Sequence, residues 1–81
     1  LVSEEDRYQY LNKKFGIKNI IYMGDGIYDA KILSDCYYGI SPKNSRTEAK
    51  KSSDFITKNR SAEGAVLDAC LHIDKKFFKK I

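Results

Sequence analysis

The sequence predicts an α/β fold, a parallel sheet with helices on its faces, and three observations carry that expectation. Short apolar runs alternate with segments of helical period along the 81 residues. The run Ile20-Ile21-Tyr22-Met23 is continuously apolar, as a strand buried on both faces requires. Gly24-Asp25-Gly26 follows at once, and a carboxylate at a strand end lies on the side of a parallel sheet where ligands sit.

Each element has its own reason. Tyr8, Leu11 and Phe15 recur at helical spacing and Gly16 is a stop signal, which predicts a helix over Glu4 to Phe15. Ile17 to Met23 is the first strand, Gly24 to Gly26 the turn, and Ile27 to Ser34 a short helix. Cys36 to Ile40 reads as a second strand, left by the loop Ser41-Pro42-Lys43-Asn44. Ser45 with Glu48 three residues on has the form of a capping box for a helix through Lys51. Asp54 to Thr57 is a brief third strand. From Ala62 onward, Val66, Cys70, Ile73 and Phe77 keep a helical period, with Ser61 as N-cap. Lys75, Lys76, Lys79 and Lys80 stand where the helix dipole favours cations.

A chain this short is expected to form one domain at most and to bury only roughly 60% of its unfolded surface. Fifteen basic against eleven acidic residues leave a formal +4, spread over the chain rather than gathered in one block. No aromatic-basic signature of an RNA-reading module is present, so nucleic acid is not an expected partner. Cys36 and Cys70 lack CxxC spacing, and neither a signal peptide nor an apolar run near the ~20 residues of a membrane span occurs. The expectation is a cytoplasmic protein with no membrane contact. The lone His72 reads as a surface or packing residue.

Asp25 and Asp29 are the candidate chemistry. Hard Mg²⁺ takes oxygen ligands at ~2.1 Å and keeps several waters, so Asp25 suits a direct ligand. Asp29, one helical turn on, would act behind it, orienting a metal water or a neighbouring cation. The other reading is that Asp25 caps the following helix and Asp29 lies in its first turn, which the dipole also favours. Two carboxylates this near repel, and a cation lets both stay ionised, which favours the metal.

Gly24-Asp25-Gly26-Ile27-Tyr28-Asp29 behind an apolar strand resembles the fourth motif, GDxxxD, of the haloacid dehalogenase superfamily. In that family the first aspartate binds an essential Mg²⁺. The stretch "YYGISPKNSRTEAKKSSDFITKNRSAEGAV" is similar to the end of the cap-less phosphatases typified by 3-deoxy-D-manno-octulosonate 8-phosphate phosphatase. Ser53 to Thr57 matches their "ADYVT" strand, Ser61 to Val66 their "GGRGAV" element, and Asn44 the Asp of "VxDA". The resemblance spans about Ile17 to Ile73. It implies a Rossmann-like fold, Mg²⁺, a small phosphorylated metabolite such as a sugar or sugar-acid phosphate, and a homo-oligomer, a tetramer in these relatives. It also makes Asp25 and Asp29 the metal-site residues; Lys43 and Asn44 are candidates to touch the substrate or support the metal loop, the other reading being that Asn44 satisfies a turn and Lys43 lies in solvent.

Departures accompany the matches. The family's nucleophilic DxDxT or DxDxV motif is absent, and the third-motif lysine falls at Glu4, with Arg7 the nearest cation. Residues 1–81 are therefore expected to be the carboxyl-terminal portion of one such domain, inactive alone, its nucleophile supplied from outside. Glu63 replaces a common Arg, and a like charge opposes an anionic sugar acid. Two rivals stand beside the phosphatase. One is a non-catalytic oligomerisation domain of a larger sugar-nucleotide enzyme. The other is the phosphorylation domain of a P-type ATPase, against which Tyr28 and the "AEGAV" ending speak.

Overall fold

A computed structural model describes residues 4–60 and 63–78. Helix α1 spans Glu4–Phe15, as its periodicity predicts. It ends where Gly16 turns to φ 81°, a conformation that favours glycine. The Gly16 N–H still bonds to the Asn12 carbonyl at 2.9 Å.

The first strand is shorter than the apolar run suggests. Ile17–Asn19 forms a 3₁₀ turn, and strand β1 is only Ile21–Met23. Ile17 is apolar because it is buried beneath that turn rather than because it joins a sheet. A second 3₁₀ turn, Ile27–Asp29, leads into α2, Ala30–Asp35. Strand β2 is Tyr38–Ser41, two residues later than expected. The Cys36 N–H is still held by the Ile32 carbonyl at 2.8 Å and so belongs to the helix end. Then come α3, Thr47–Ser52, β3, Phe55–Ile56, and α4, Ala65–Ile73, which continues as a π-helical turn over Asp74–Phe78.

The strands lie in the order β1-β2-β3, all parallel. Met23 stands opposite Ile40, and Ile40 opposite Phe55, so β2 is central and its Gly39, Ile40 and Ser41 are buried. β1 departs from its expected burial. Among the described residues only β2 pairs with it, and Ile21 remains 38% exposed. Ile32 and Leu33 of α2, Ile40, Ala49 of α3, and Ala65 and Ala69 of α4 form the core. A Cβ on Gly39 would come within 2.7 Å of the Leu33 carbonyl oxygen, so glycine there lets α2 cross directly over β2.

Two further expectations change. The Ser45–Glu48 box does not form: α3 starts after Arg46, without a side-chain cap, and the Ser45 hydroxyl is buried with no partner among the described residues. The Ser45 N–H closes a turn onto the Pro42 carbonyl, leaving Ser45 one residue too early to cap. On α4 the period is right and the phase is shifted by one residue. Ala65 and Ala69 face the core, whereas Val66 is 62% exposed and Cys70 is exposed. His72 has the packing role, its ring stacked on Phe55 and its Nε2 within 2.7 Å of the Tyr38 hydroxyl. Ser61, Lys79 and Lys80 lie outside the described residues. Among those described, no helix is long and apolar enough to cross a membrane.

Candidate active site

The loops leaving the three strands are tied to one another through backbone hydrogen bonds. The Gly24 N–H donates to the Ile40 carbonyl at 3.1 Å, and the Arg46 N–H to the Asp25 carbonyl at 3.0 Å. The Lys43 N–H reaches Thr57 Oγ1 at 3.2 Å and the Asn59 carbonyl at 3.4 Å, while the buried Thr57 hydroxyl donates to that same carbonyl at 2.6 Å. These bonds bring the loop carrying Asp25, the loop carrying Lys43 and Asn44, and the segment after β3 to one end of the sheet. That is the end where parallel sheets bind ligands.

The two aspartates behave differently there. Asp29 turns its carboxylate back onto the loop that precedes it: Oδ2 accepts the N–H groups of Asp25 and Gly26, each at 3.1 Å. Its Oδ1 accepts from Arg7 of α1 at 2.9 Å and from the Tyr22 hydroxyl of β1 at 3.0 Å. Arg7 is also 3.3 Å from the Tyr22 oxygen. Four donors thus converge on one carboxylate that is only 13% exposed. Arg7 supplies the cation that the carboxylate pair was expected to need, so charge repulsion alone does not call for a metal. Burial raises the Tyr22 phenol above its ordinary range, while its bond from Arg7 pulls the other way. At neutral pH it is a hydrogen-bond donor. The Arg7 guanidinium is raised in turn, by its bond to Tyr22 first and also by Asp29.

Asp25 is exposed, and no donor among the described residues reaches its carboxylate. Its backbone is held at both ends, by Asp29 through the N–H and by Arg46 through the carbonyl, so the side chain is presented from a fixed loop. Lys43 and Asn44 are both exposed at the end of β2. Lys58 and Arg60 are exposed beyond β3, but Lys58 lines a groove beside α4.

A Mg²⁺ ion fits the exposed Asp25 carboxylate as one ligand, since such ions often take one or two carboxylates and fill their remaining positions with water and phosphate oxygens. Asp29 cannot join it directly without releasing donors it already holds. No cluster of three or more His, Cys, Asp or Glu that could hold a metal occurs among the described residues.

Tyr22 is the site residue that sequence reasoning missed. A hydroxyl-bearing ring inside an aliphatic strand run was the available signal, since a half-buried phenol seeks a polar partner. Gly24 is required for a steric reason. A Cβ there would lie 2.7 Å from Asp29 Cβ and Cγ, whereas one at Gly26 would meet nothing closer than 3.6 Å. Gly24→Ala is therefore expected to cost about 2 kcal/mol, lowering the thermal midpoint by roughly 10 °C, and Gly26→Ala to change it little. Melting curves of the two variants followed by circular dichroism check this contrast.

The chain in which the part-buried Asp29 pins this loop and leaves Asp25 exposed is similar to the haloacid dehalogenase-like hydrolases. The profile of that family matches residues 5–69, and the chain belongs to it. A Geobacillus stearothermophilus protein described as an uncharacterized protein in the pdhA 5' region is 36% identical over 64 residues, covering 76% of this chain and 67% of that one. Among solved structures, 3-deoxy-D-manno-octulosonate 8-phosphate phosphatase from Moraxella catarrhalis, in complex with magnesium ion, phosphate ion and KDO, matches with TM-score 0.75 and 32% identity. The match covers 85% of this chain and 41% of that one. A protein named as a HAD superfamily (subfamily III A) hydrolase from Legionella pneumophila matches with TM-score 0.77 and 25% identity, over 91% of this chain and 42% of that one. The chain thus spans about two-fifths of the length of these two structures.

Proposed function

We propose that this chain is the carboxyl-terminal part of a Mg²⁺-dependent phosphatase that hydrolyses a small phosphorylated metabolite, a sugar or sugar-acid phosphate. The observation that carries the reading is the division of labour between the two aspartates. Asp29 is saturated by Arg7, Tyr22 and two backbone N–H groups, and Asp25 stands free of donors among the described residues. A loop built only to start a helix needs Asp29 alone. The solved relative from Moraxella catarrhalis, which holds magnesium and phosphate ions, supports the choice of metal and reaction.

In this reading Asp25 is the direct metal ligand, and Asp29 acts from behind through the Asp25 N–H. The bound ion supplies charge neutralisation at the phosphoryl oxygens. Asp29 fixes the loop so that Asp25 does not reorganise as charge develops, which is where preorganised sites gain their rate. Lys43 and Asn44, on the neighbouring loop, contact the substrate. The attacking aspartate comes from outside residues 1–81, and its phosphorylated form is then hydrolysed by water. The active assembly is a cytoplasmic homo-oligomer.

A missing third-motif lysine favours the rival, a non-catalytic domain of the same fold. Arg7 weakens that argument, because it places a cation on Asp29 from α1. Glu63 is exposed in the turn ahead of α4, where a carboxylate is favoured by the helix dipole without any substrate. It therefore says little for either reading.

With no nucleophile of its own, the purified 81-residue chain is expected to hydrolyse no aryl phosphate, with or without Mg²⁺, beyond a buffer blank and an Asp25→Asn control. Turnover above both controls would show that the essential residues lie within the chain and overturn the need for an outside aspartate.

A further inference from the structure

We propose that the groove between β3 and α4 is a second binding site, separate from the Asp25 loop, for a monocarboxylic acid with a flat aromatic body. This inference does not rest on the phosphatase reading. The groove has a volume of about 300 Å³ and is lined by Phe55, Lys58, Asp68, Leu71, His72 and Lys75. That size is at the lower end for small-molecule pockets, room for a ligand of about one ring and a short chain.

Its wall is preformed. The rings of Phe55 and His72 lie 7° from parallel with centroids 3.6 Å apart, and the 2.7 Å contact between His72 Nε2 and the Tyr38 hydroxyl fixes the imidazole in place. A ring laid against this wall meets side chains that are already ordered, so little further entropy is lost on binding. Leu71 adds apolar surface and is 59% exposed.

The charges select the ligand's head group. Among the described residues, neither Lys58 nor Lys75 has an ion pair or a hydrogen bond to its ammonium. By contrast, Lys14, Lys31 and Lys76 each lie 4.7–5.5 Å from the centroid of a tyrosine ring. Asp68 is the third charge, and its Oδ2 accepts both the backbone N–H and the side-chain amide of Asn59 at 2.9 Å. Two cations and one carboxylate leave a net single positive charge, which complements a carboxylate better than a phosphate dianion. Exposed ammonium groups attract weakly through water, so the acid also needs its apolar body to bind. Because β2 separates β3 from β1, this groove and the loop after β1 belong to different strands of the sheet.

The test is a two-dimensional amide NMR titration of the full chain with 3-phenylpropionate, with 3-phenylpropan-1-ol, which keeps the ring and lacks the charge, and with propionate, which lacks the ring. Saturable shifts confined to the amides around Phe55, Leu71 and His72 are expected with 3-phenylpropionate. The alcohol should bind about 3- to 5-fold more weakly, on the order of one exposed ion pair, and propionate about 10-fold more weakly, on the order of one ring contact. In the Lys58→Gln/Lys75→Gln variant, whose two changes are at exposed side chains, the acid should bind no better than the alcohol. The proposal is overturned if 3-phenylpropionate gives no saturable shifts at these amides, if acid and alcohol bind equally, or if the lysine variant binds the acid as tightly as the unaltered chain.

Discussion

Asp25→Asn is expected to lower Mg²⁺-dependent phosphate-ester hydrolysis by about 100- to 1000-fold in the active protein, while leaving its thermal midpoint within a few degrees of the parent. The activity loss follows from the metal reading. A bound divalent ion contributes several kcal/mol at the phosphoryl oxygens, and each ~1.4 kcal/mol is tenfold in rate. An amide in place of the carboxylate removes the negative ligand charge that holds the ion. The unchanged midpoint follows from the structure, since the carboxylate of Asp25 holds no donor among the described residues and only its backbone is engaged. Steady-state assays over a range of Mg²⁺ concentrations, paired with melting curves, read both quantities. Undiminished activity would return Asp25 to the role of a helix-end residue.

Asp29 has the opposite profile. Its replacement by alanine leaves two backbone N–H groups, the Tyr22 hydroxyl and Arg7 without their shared acceptor. A hydrogen bond to a charged group is worth ~1.5–3 kcal/mol, and the four are not additive, so a loss of about 3 kcal/mol is expected. For a domain of this size that lowers the midpoint by roughly 10–20 °C. Asp29→Asn should lie between the alanine variant and the parent. Asparagine keeps one acceptor oxygen, but its NH₂ must face either the two backbone donors or Arg7 and Tyr22. Arg7→Met is expected to cost less, about 1 kcal/mol, because Arg7 is 41% exposed and water replaces part of its role. Activity should fall with stability in this series, by about 10- to 100-fold for Asp29→Asn, as is typical of a residue acting through a metal ligand. Midpoints ranked parent, Arg7→Met, Asp29→Asn, Asp29→Ala would support the account. An Asp29→Ala protein as stable as the parent would contradict it.

The fold class was legible in the sequence because it rests on alternation and period, which survive small errors of boundary. Several of the differences share a cause: apolar composition does not say what, if anything, buries a residue. Ile17 is apolar and lies under a 3₁₀ turn, so the apolar run overstates the first strand by four residues. Ala65 and Ala69 are small enough to let α4 approach the sheet, and the larger Val66 and Cys70 drew attention to the wrong face. The exposure of β1 could not be read from Ile20 to Met23, because burial of a strand depends on neighbours that its own residues do not specify.

The site was legible as far as local chemistry reaches. Asp25 and Asp29 could be found from their spacing and their glycines, and Arg7 as the nearest cation. That Arg7 and Tyr22 meet on one oxygen of Asp29 is a tertiary fact, joining α1, β1 and the loop across 22 and 7 residues of sequence. The same contact removes an argument made from sequence alone. Repulsion between the carboxylates pointed to a metal, and Arg7 already relieves it. The case for the ion therefore rests on Asp25 standing free of donors among the described residues, on the Mg²⁺ site of the family that the motif resembles, and on the magnesium ion of the solved relative.

The most direct test is a crystal structure of the active protein with Mg²⁺ and a phosphate analogue bound. The account predicts one Asp25 carboxylate oxygen at ~2.1 Å from the ion, with Asp29 outside direct contact and still bonded to Arg7. An ion bound directly by Asp29, or an Asp25 carboxylate turned away to cap the turn at Ile27, would contradict it.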